Sequence, residues 1–365
     1  MKSLRGSAAI VGIGLAGIPQ MPPGSTPVDC MALAALTALA DAGIAPEEVD
    51  GVFASGLQML MPALGLTEYL GLQPCHIDGT QVGGCAPLLQ LNHARAAIAA
   101  GLCSVALIAY GSTQRSSGAA FASLSEPLVF EAELGWPGPV AAYAMIAQRH
   151  MHAFGTRRED LAEVAVAARK WAQLTPEATA RDPLSLDDVL SARVIASPLG
   201  TRDCCLVTDG GGALVVVSAE RAKSMKKPVY VLGGGEHVSH RSIAAMPDLT
   251  TTAATITGAR AFAEAGLTPA DVDVLQLYDA FTINPIVFLE DLGFCAKGEG
   301  AAFVRNGALA PGGRLPVNTN GGGLSFCHPG MYGVFTLIES VLQLRGGLGA
   351  RQVADARVAL AHAPD

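Results

Sequence analysis

Charge is scarce in this sequence. Only 15% of its 365 residues are Asp, Glu, Lys or Arg, against about 25% in an average soluble domain. Aromatic residues stand at 5%, which argues against large ring-lined surfaces and for close packing of small residues. Basic charge is in the minority, 24 Lys and Arg against 32 Asp and Glu. No local basic cluster offsets this, so nucleic-acid binding is not expected. The eight cysteines, at 30, 75, 85, 103, 204, 205, 295 and 327, form no CxxC pair and no disulfide-like spacing. They fit a reducing cytoplasm, and no metal site is expected. No apolar run is long and unbroken enough to span a membrane; the uncharged stretch Ala96 to Gln114, for example, is divided by Gly101 and Gly111. The opening MKSLRGSAAIVGIGLAGIP has no small-residue cleavage site and is broken by Gly12, Gly14 and Gly17. It reads as a first strand and its turn rather than a signal peptide.

Apolar residues make up 50% of the chain, which excludes disorder, and the length bounds the fold to about two domains. So little charge on so long a chain predicts that part of the surface is buried in an oligomer.

The sequence is internally duplicated. DAGIAPEEVDGVF (Asp41 to Phe53) recurs as EAGLTPADVDVLQ (Glu264 to Gln276) without a gap, at a displacement of 223 residues. In both copies an Ala-rich helix ends at a Gly (Gly43, Gly266), a Pro follows, and a short strand comes next. Further on, TQVGGCAPLLQLNHARAAIAAG (Thr80 to Gly101) pairs with NTNGGGLSFCHPGMYGVFTLIESVLQLRG, which ends at Gly346. Aligned on the terminal glycines the displacement becomes 245, which puts Cys85 opposite Gly330 and beside His328. The extra residues of the second copy fall between Leu292 and Leu315. The expected organisation is a first half over residues 1–227, a loop domain inserted in it over about 112–198, and a second half over 228–365. Thr208 to Ala222 is expected to close the first half as a buried strand.

Several residues suit chemistry. Cys85 follows Gly83 and Gly84 at a helix N-terminus, where unpaired N–H groups and the helix dipole favour a thiolate able to attack a thioester; eight cysteines are available, and a small buried Cys is the plain alternative. His328, in Cys327-His328-Pro329-Gly330, supplies the His of a Cys/His pair, or simply serves its turn. Tyr278 and Asp279 of YDAFT sit at the C-terminal end of a strand, where α/β folds place their sites, and are candidates for donor and base; alternatively Tyr278 packs and Asp279 caps the next helix. Tyr332 is a weaker candidate of the same kind. Gly321 to Gly323 are candidates to present N–H groups to an oxyanion, and Asp279, Gly322 and Gly330 are assigned to substrate binding. His150, His152, His237 and His240 read as surface or loop residues.

Taken together, GSAAIVGIG, GGCAP, YDAFTINPIVFLEDLGFCAKGEG and LPVNTNGGGLSFCHPGMYG resemble the thiolase superfamily, in particular its sterol-carrier-protein and lipid-transfer type. The resemblance covers essentially the whole chain. It implies an α/β fold of five layers, α-β-α-β-α, built from two duplicated halves, a tight homodimer, and acyl-coenzyme A substrates with no further cofactor. Cys85 falls where thiolases keep the acylated nucleophile, with the family's 26 residues between that Cys and the Gly ending the next strand, here Gly111. His328 falls at the family's activating Gly-His-Pro histidine, with Cys327 in place of Gly, and Tyr278 at its His or Asn that holds an oxyanion-binding water. After the strand matching ARVALAHA, thiolases carry a Cys-x-Gly loop with a second catalytic Cys, whereas this sequence stops at Asp365.

The YDAFT and HPGMYG segments are also similar to those of aldolases that cleave 3-hydroxyacyl-CoA side chains beside a small OB-fold, zinc-ribbon partner protein. In those enzymes tyrosines replace the lost Cys. Three readings follow: acyl transfer through a Cys85 thioester activated by His328, retro-aldol carbon–carbon cleavage with Tyr278 and Tyr332 as the acid/base pair, and a non-catalytic lipid-binding subunit. The first is the leading expectation.

Overall fold

The computed structural model describes residues 4–118, 133 and 138–364; most of the irregular stretch expected at the start of the inserted domain lies outside them. The chain begins β1 (Ala8–Ala16), α1 (Pro27–Ala42), β2 (Gly51–Ser55), α2 (Pro62–Leu70), β3 (His76–Asp78), α3 (Ala86–Ala99) and β4 (Val105–Ser112). The inserted region holds α4 (Pro139–Phe154), α5 (Arg158–Gln173), α6 (Leu186–Leu190) and the hairpin of β5 (Val194–Ala196) with β6 (Leu199–Gly200). β7 (Gly210–Ser218), α7 (Ala219–Ala222) and β8 (Val229–Tyr230) return to the first sheet. The second half contains α8 (Ala254–Ala265), β9 (Val274–Leu277), α9 (Ile283–Asp291), α10 (Gly300–Val304), α11 (Gly322–Ser325), α12 (Gly333–Arg345) and β10 (Ala359–His362).

The duplicated segment is a structural repeat. Thr26 and Asp29 close a capping box on α1, with Pro27 in its first turn. α1 and α8 both stop at a glycine in the left-handed region, Gly43 at φ +66° and Gly266 at φ +63°. A one-turn 3₁₀ helix follows each, Pro46–Glu48 and Pro269–Asp271, and then β2 and β9. The segments packed against these helices repeat as well. A Cβ on Gly12 or Gly14 would lie 2.1 Å from the carbonyl oxygen of Ala38 or Ala34 of α1, and one on Gly233 or Gly235 would lie 2.3 or 2.1 Å from that of Ala261 or Thr257 of α8. Glycine is required wherever strand and helix backbones approach so closely.

The first sheet has the order β3-β2-β4-β7-β1-β8, with β2 parallel to β3 and β4, and β7 antiparallel to β4 and β1. Both faces are covered. Val105, Leu107 and Ala109 of β4 join the apolar cluster under α1, while Ala106, Ile108 and Tyr110 join the larger cluster shared with α3 and α12. Thr208 to Ala222 forms the buried strand expected there, with α7 at its end. In the second half β9 pairs in parallel with β10, and a single parallel bridge joins Leu275 to Val317. Val358 and His362 turn their carbonyls towards β9, so Ala359 and Ala361 turn their backbone groups to the opposite edge, where no described strand pairs. The expected extra residues between Leu292 and Leu315 carry α10. Among the described residues no helix is long and apolar enough to cross a membrane.

Candidate active site

The N-termini of α3 and α12 meet in the middle layer. Gly83–Cys85 forms a 3₁₀ turn leading into α3, with Cys85 at the N-cap. A Cβ on Gly333 would lie 2.4 Å from the Gly84 carbonyl oxygen, and a Cβ on Gly84 would lie 2.4 Å from the Tyr278 hydroxyl. Gly84 is thus held between α12 and Tyr278, which leaves the end of β9. Glycine there is what lets the phenol lie against the residue preceding Cys85.

Three rings form the centre. His328 Nε2 and the Tyr278 hydroxyl are 3.1 Å apart. Tyr332, at the start of α12, lies parallel to His328 at 6.3 Å between centroids and edge-on to Tyr278 at 5.8 Å. All three residues are buried. The Tyr332 hydroxyl donates to Asn320 Oδ1 at 3.0 Å. Burial holds His328 at about 4, below its ordinary 6.5, so it is neutral at pH 7. The same desolvation holds both phenols well above 10 and therefore protonated. The cluster is an uncharged set of donors and acceptors, suited to passing protons without building charge in a dry site.

The surrounding hydrogen bonds fix the His328 loop. The His328 N–H donates to Thr208 Oγ1 at 3.1 Å and the Thr208 N–H to the His328 carbonyl at 3.3 Å. Tyr110 donates its hydroxyl to the Pro329 carbonyl and receives the Met331 N–H at 3.1 Å. Asn320, Thr208 and Tyr110 are site-building residues that sequence reasoning missed. Asn320 shares the NTNGGG run with the expected glycines and is the one with a signal; Tyr110 reads as core because it stands in an apolar strand.

Several expectations are corrected. His328 Nε2 meets the Tyr278 hydroxyl, and the Cys85 thiol donates to the Val82 carbonyl at 3.2 Å. The N–H groups of Gly321, Gly322 and Gly323 do not await an oxyanion: they donate to the Asn318 carbonyl, Asn320 Oδ1 and Asp279 Oδ1 at 2.8, 2.9 and 2.6 Å. Gly322 is needed for space instead, since a Cβ there would lie 2.1 Å from Asp279 Oδ2. Asp279 is fully buried and caps α11 through Gly323, not α9. Burial pushes it up to about 7. Gly330 is at φ +89°, and a Cβ there would meet Gln114, Leu57 and Tyr110. His150 is buried in α4 between Thr156 at 2.7 Å and Glu290 at 3.1 Å, because Glu290 on α9 supplies a carboxylate in the core that lets an imidazole be buried there.

Comparison with known proteins accords with this geometry. Residues 235–364 match the family model described as thiolase C-terminal domain-like. A 17-hydroxy-3-oxo-4-pregnene-20-carboxyl-CoA lyase of Mycobacterium tuberculosis is 36% identical, over 94% of this chain and 92% of the relative. An acetyl-CoA acetyltransferase of Methanothermobacter thermautotrophicus is 32% identical, over 92% of this chain and 90% of the relative. Among solved structures, an Ltp2-ChsH2(DUF35) aldolase superposes with a TM-score of 0.89 at 32% identity, covering 98% of this chain and 94% of that one. With its repeated halves and a site built where they meet, the chain belongs to the thiolase superfamily, in the sterol-carrier-protein type that includes both acyltransferases and carbon–carbon lyases.

Proposed function

We propose that this enzyme is a carbon–carbon lyase that cleaves a 3-hydroxyacyl-CoA by retro-aldol chemistry. The observation that carries the reading is the pairing of His328 Nε2 with the Tyr278 hydroxyl, and the steroid-CoA lyase among its relatives supports it. The Tyr278 hydroxyl takes the proton of the substrate's 3-hydroxyl as it passes its own to neutral His328. The C2–C3 bond breaks, C3 leaves as a carbonyl compound, and the electron pair remains on C2 as the thioester enolate. Tyr332 then protonates C2, giving a shortened acyl-CoA. His328 returns its proton to Tyr278, whose own passes to Tyr332, so the net transfer is from O3 to C2. Asn320 holds Tyr332, and Asp279 positions the adjoining turn. The CoA thioester is substrate, and no other cofactor takes part.

A second reading, acyl transfer through Cys85, is favoured by the thiol's place at the N-terminus of α3. Incubation with a 3-hydroxyacyl-CoA separates the two. Lyase chemistry yields a free carbonyl product and a shortened acyl-CoA without added CoA, and a carbonyl product absent with every such substrate contradicts it.

The assembly we infer is a cytoplasmic homodimer working beside an OB-fold partner. Leu33, Leu36, Leu64, Tyr69 and Ile77 are exposed on α1, α2 and edge strand β3, and apolar patches of this kind serve as contact surfaces. None of the eight cysteines forms a disulfide, which suits a reducing compartment. The two-component name of the aldolase structure supports the partner.

A further inference from the structure

A cavity of about 140 Å³ is walled by Tyr143 and Ile146 of α4, Ile243, Met246, and Val287 and Phe288 of α9, with Ser239 to Arg241 on its polar side. Among the described residues, two polar side chains that line it leave polar atoms without hydrogen-bond partners. Asn284, in the first turn of α9, is 2% exposed, and neither its Oδ1 nor its Nδ2 meets a hydrogen-bonding group. His362, at the end of β10, is 9% exposed and leaves Nε2 unpaired, its ring set edge-on against Phe288 at 4.6 Å. Buried amides are almost always satisfied, because leaving them unmet forfeits their hydration. A buried amide with both atoms orphaned at the wall of a cavity is a site built to be completed by something else.

We propose that this cavity receives the acyl end of the substrate, and that Asn284 is a specificity-determining residue reading an oxygen substituent on a compact apolar ring. Its size suits that ligand, since cavities of about 150 Å³ hold a benzene-sized molecule. A hydroxyl completes Asn284 on both sides, accepting from Nδ2 and donating to Oδ1. His362, kept neutral by a burial that lowers it to about 4, is a second donor or acceptor for the same oxygen. The cavity is tied to the catalytic centre through the backbone. The Tyr278 N–H donates to the His362 carbonyl at 3.0 Å, and Tyr143 stacks on Phe281, three residues past Tyr278, at 4.6 Å. The cavity therefore adjoins the segment that carries Tyr278.

The proposal deepens the acyl-CoA reading, and its test uses two esters that no lyase of this kind cleaves, so binding is judged apart from turnover. The probes are 4-hydroxycyclohexanecarboxyl-CoA and its deoxy parent cyclohexanecarboxyl-CoA, titrated calorimetrically into the full chain. The wild type is expected to prefer the hydroxylated ester about tenfold or more, as sites built for a hydroxyl reject analogues lacking it. Asn284→Leu is expected to reduce the ratio of the two Kd values to within about twofold, while the deoxy ester binds as well or better. The same variant is expected to raise Tm by roughly 1–2 °C, because it removes two unmet polar atoms without changing volume. A purely structural asparagine would lower Tm instead. Equal binding of the two esters by the wild type, unchanged discrimination in Asn284→Leu, or a crystal structure of the ester complex in which ordered water alone fills the cavity would each overturn the proposal. A His362→Phe variant that keeps part of the discrimination would support Asn284 as the principal reader, and one that loses all of it would overturn that assignment.

Discussion

In the first half every residue of β4 is buried, between β2 and β7; in the second half the equivalent strand β10 is half-buried over three of its four residues and, among the described residues, pairs on one edge. The two halves differ just as much at the site. The first contributes Cys85, whose thiol is turned to a carbonyl one turn back. The second contributes Tyr278, His328 and Tyr332, in contact with one another. A repeated backbone therefore does not repeat its chemistry. The helix–turn–strand unit sets where side chains emerge, and the partners they find decide which of them act.

The largest effect that would break this contrast is expected at the tyrosines. Tyr278→Phe or Tyr332→Phe should lower kcat for cleavage by about 10²-fold or more with KM little changed, as for loss of a general acid or base. Losses of less than about threefold in steady-state assays would move the chemistry elsewhere. Gly84→Ala should come next. The new Cβ meets Tyr278 at 2.4 Å, so the ring must shift, at about 1–3 kcal/mol of overpacking and about tenfold in kcat; thermal melts read beside kinetics check both.

The electrostatics of the second half give a smaller and signed effect. His328 and His362, both near 4 when folded against an ordinary 6.5, bind protons in the unfolded chain first as pH falls from 6.5 to about 4. Stability falls through that window. Asp279, near 7 when folded against 3.8, takes its proton first in the folded state, so its contribution rises as pH falls from about 7 to 3.8. Two groups oppose one, and Asp279→Asn should steepen the loss of stability between pH 6.5 and 4. Urea melts across that range test this, and an unchanged or shallower slope contradicts the assigned burial.

Much of the fold is legible in the sequence because it rests on local signals. The αL glycines at 43 and 266, the prolines after them and the apolar strands that follow are short-range features, and the 223-residue repeat exposes them twice. The site is legible only in outline. Motifs bring Cys85, Tyr278, His328 and Tyr332 to one place, but which of them His328 bonds depends on how segments 50 residues or more apart settle to within an ångström. A glycine run looks the same whether its N–H groups are vacant or, as here, satisfied by Asn318, Asn320 and Asp279. His150 reads as a surface residue because its partner Glu290 is 140 positions away. That β10 pairs on one edge among the described residues leaves no trace in the composition of β10 itself.

The smallest expected effect is the most decisive. Cys85→Ala removes the first half's candidate nucleophile and leaves the second half's ring cluster in place. Cleavage of a 3-hydroxyacyl-CoA by Cys85→Ala, followed alongside the intact mass of wild-type protein during turnover, tests the central claim directly. The account predicts activity within about threefold of wild type and no acyl adduct on the enzyme. Abolished cleavage together with an adduct at Cys85 would contradict it and return the chemistry to the thiol.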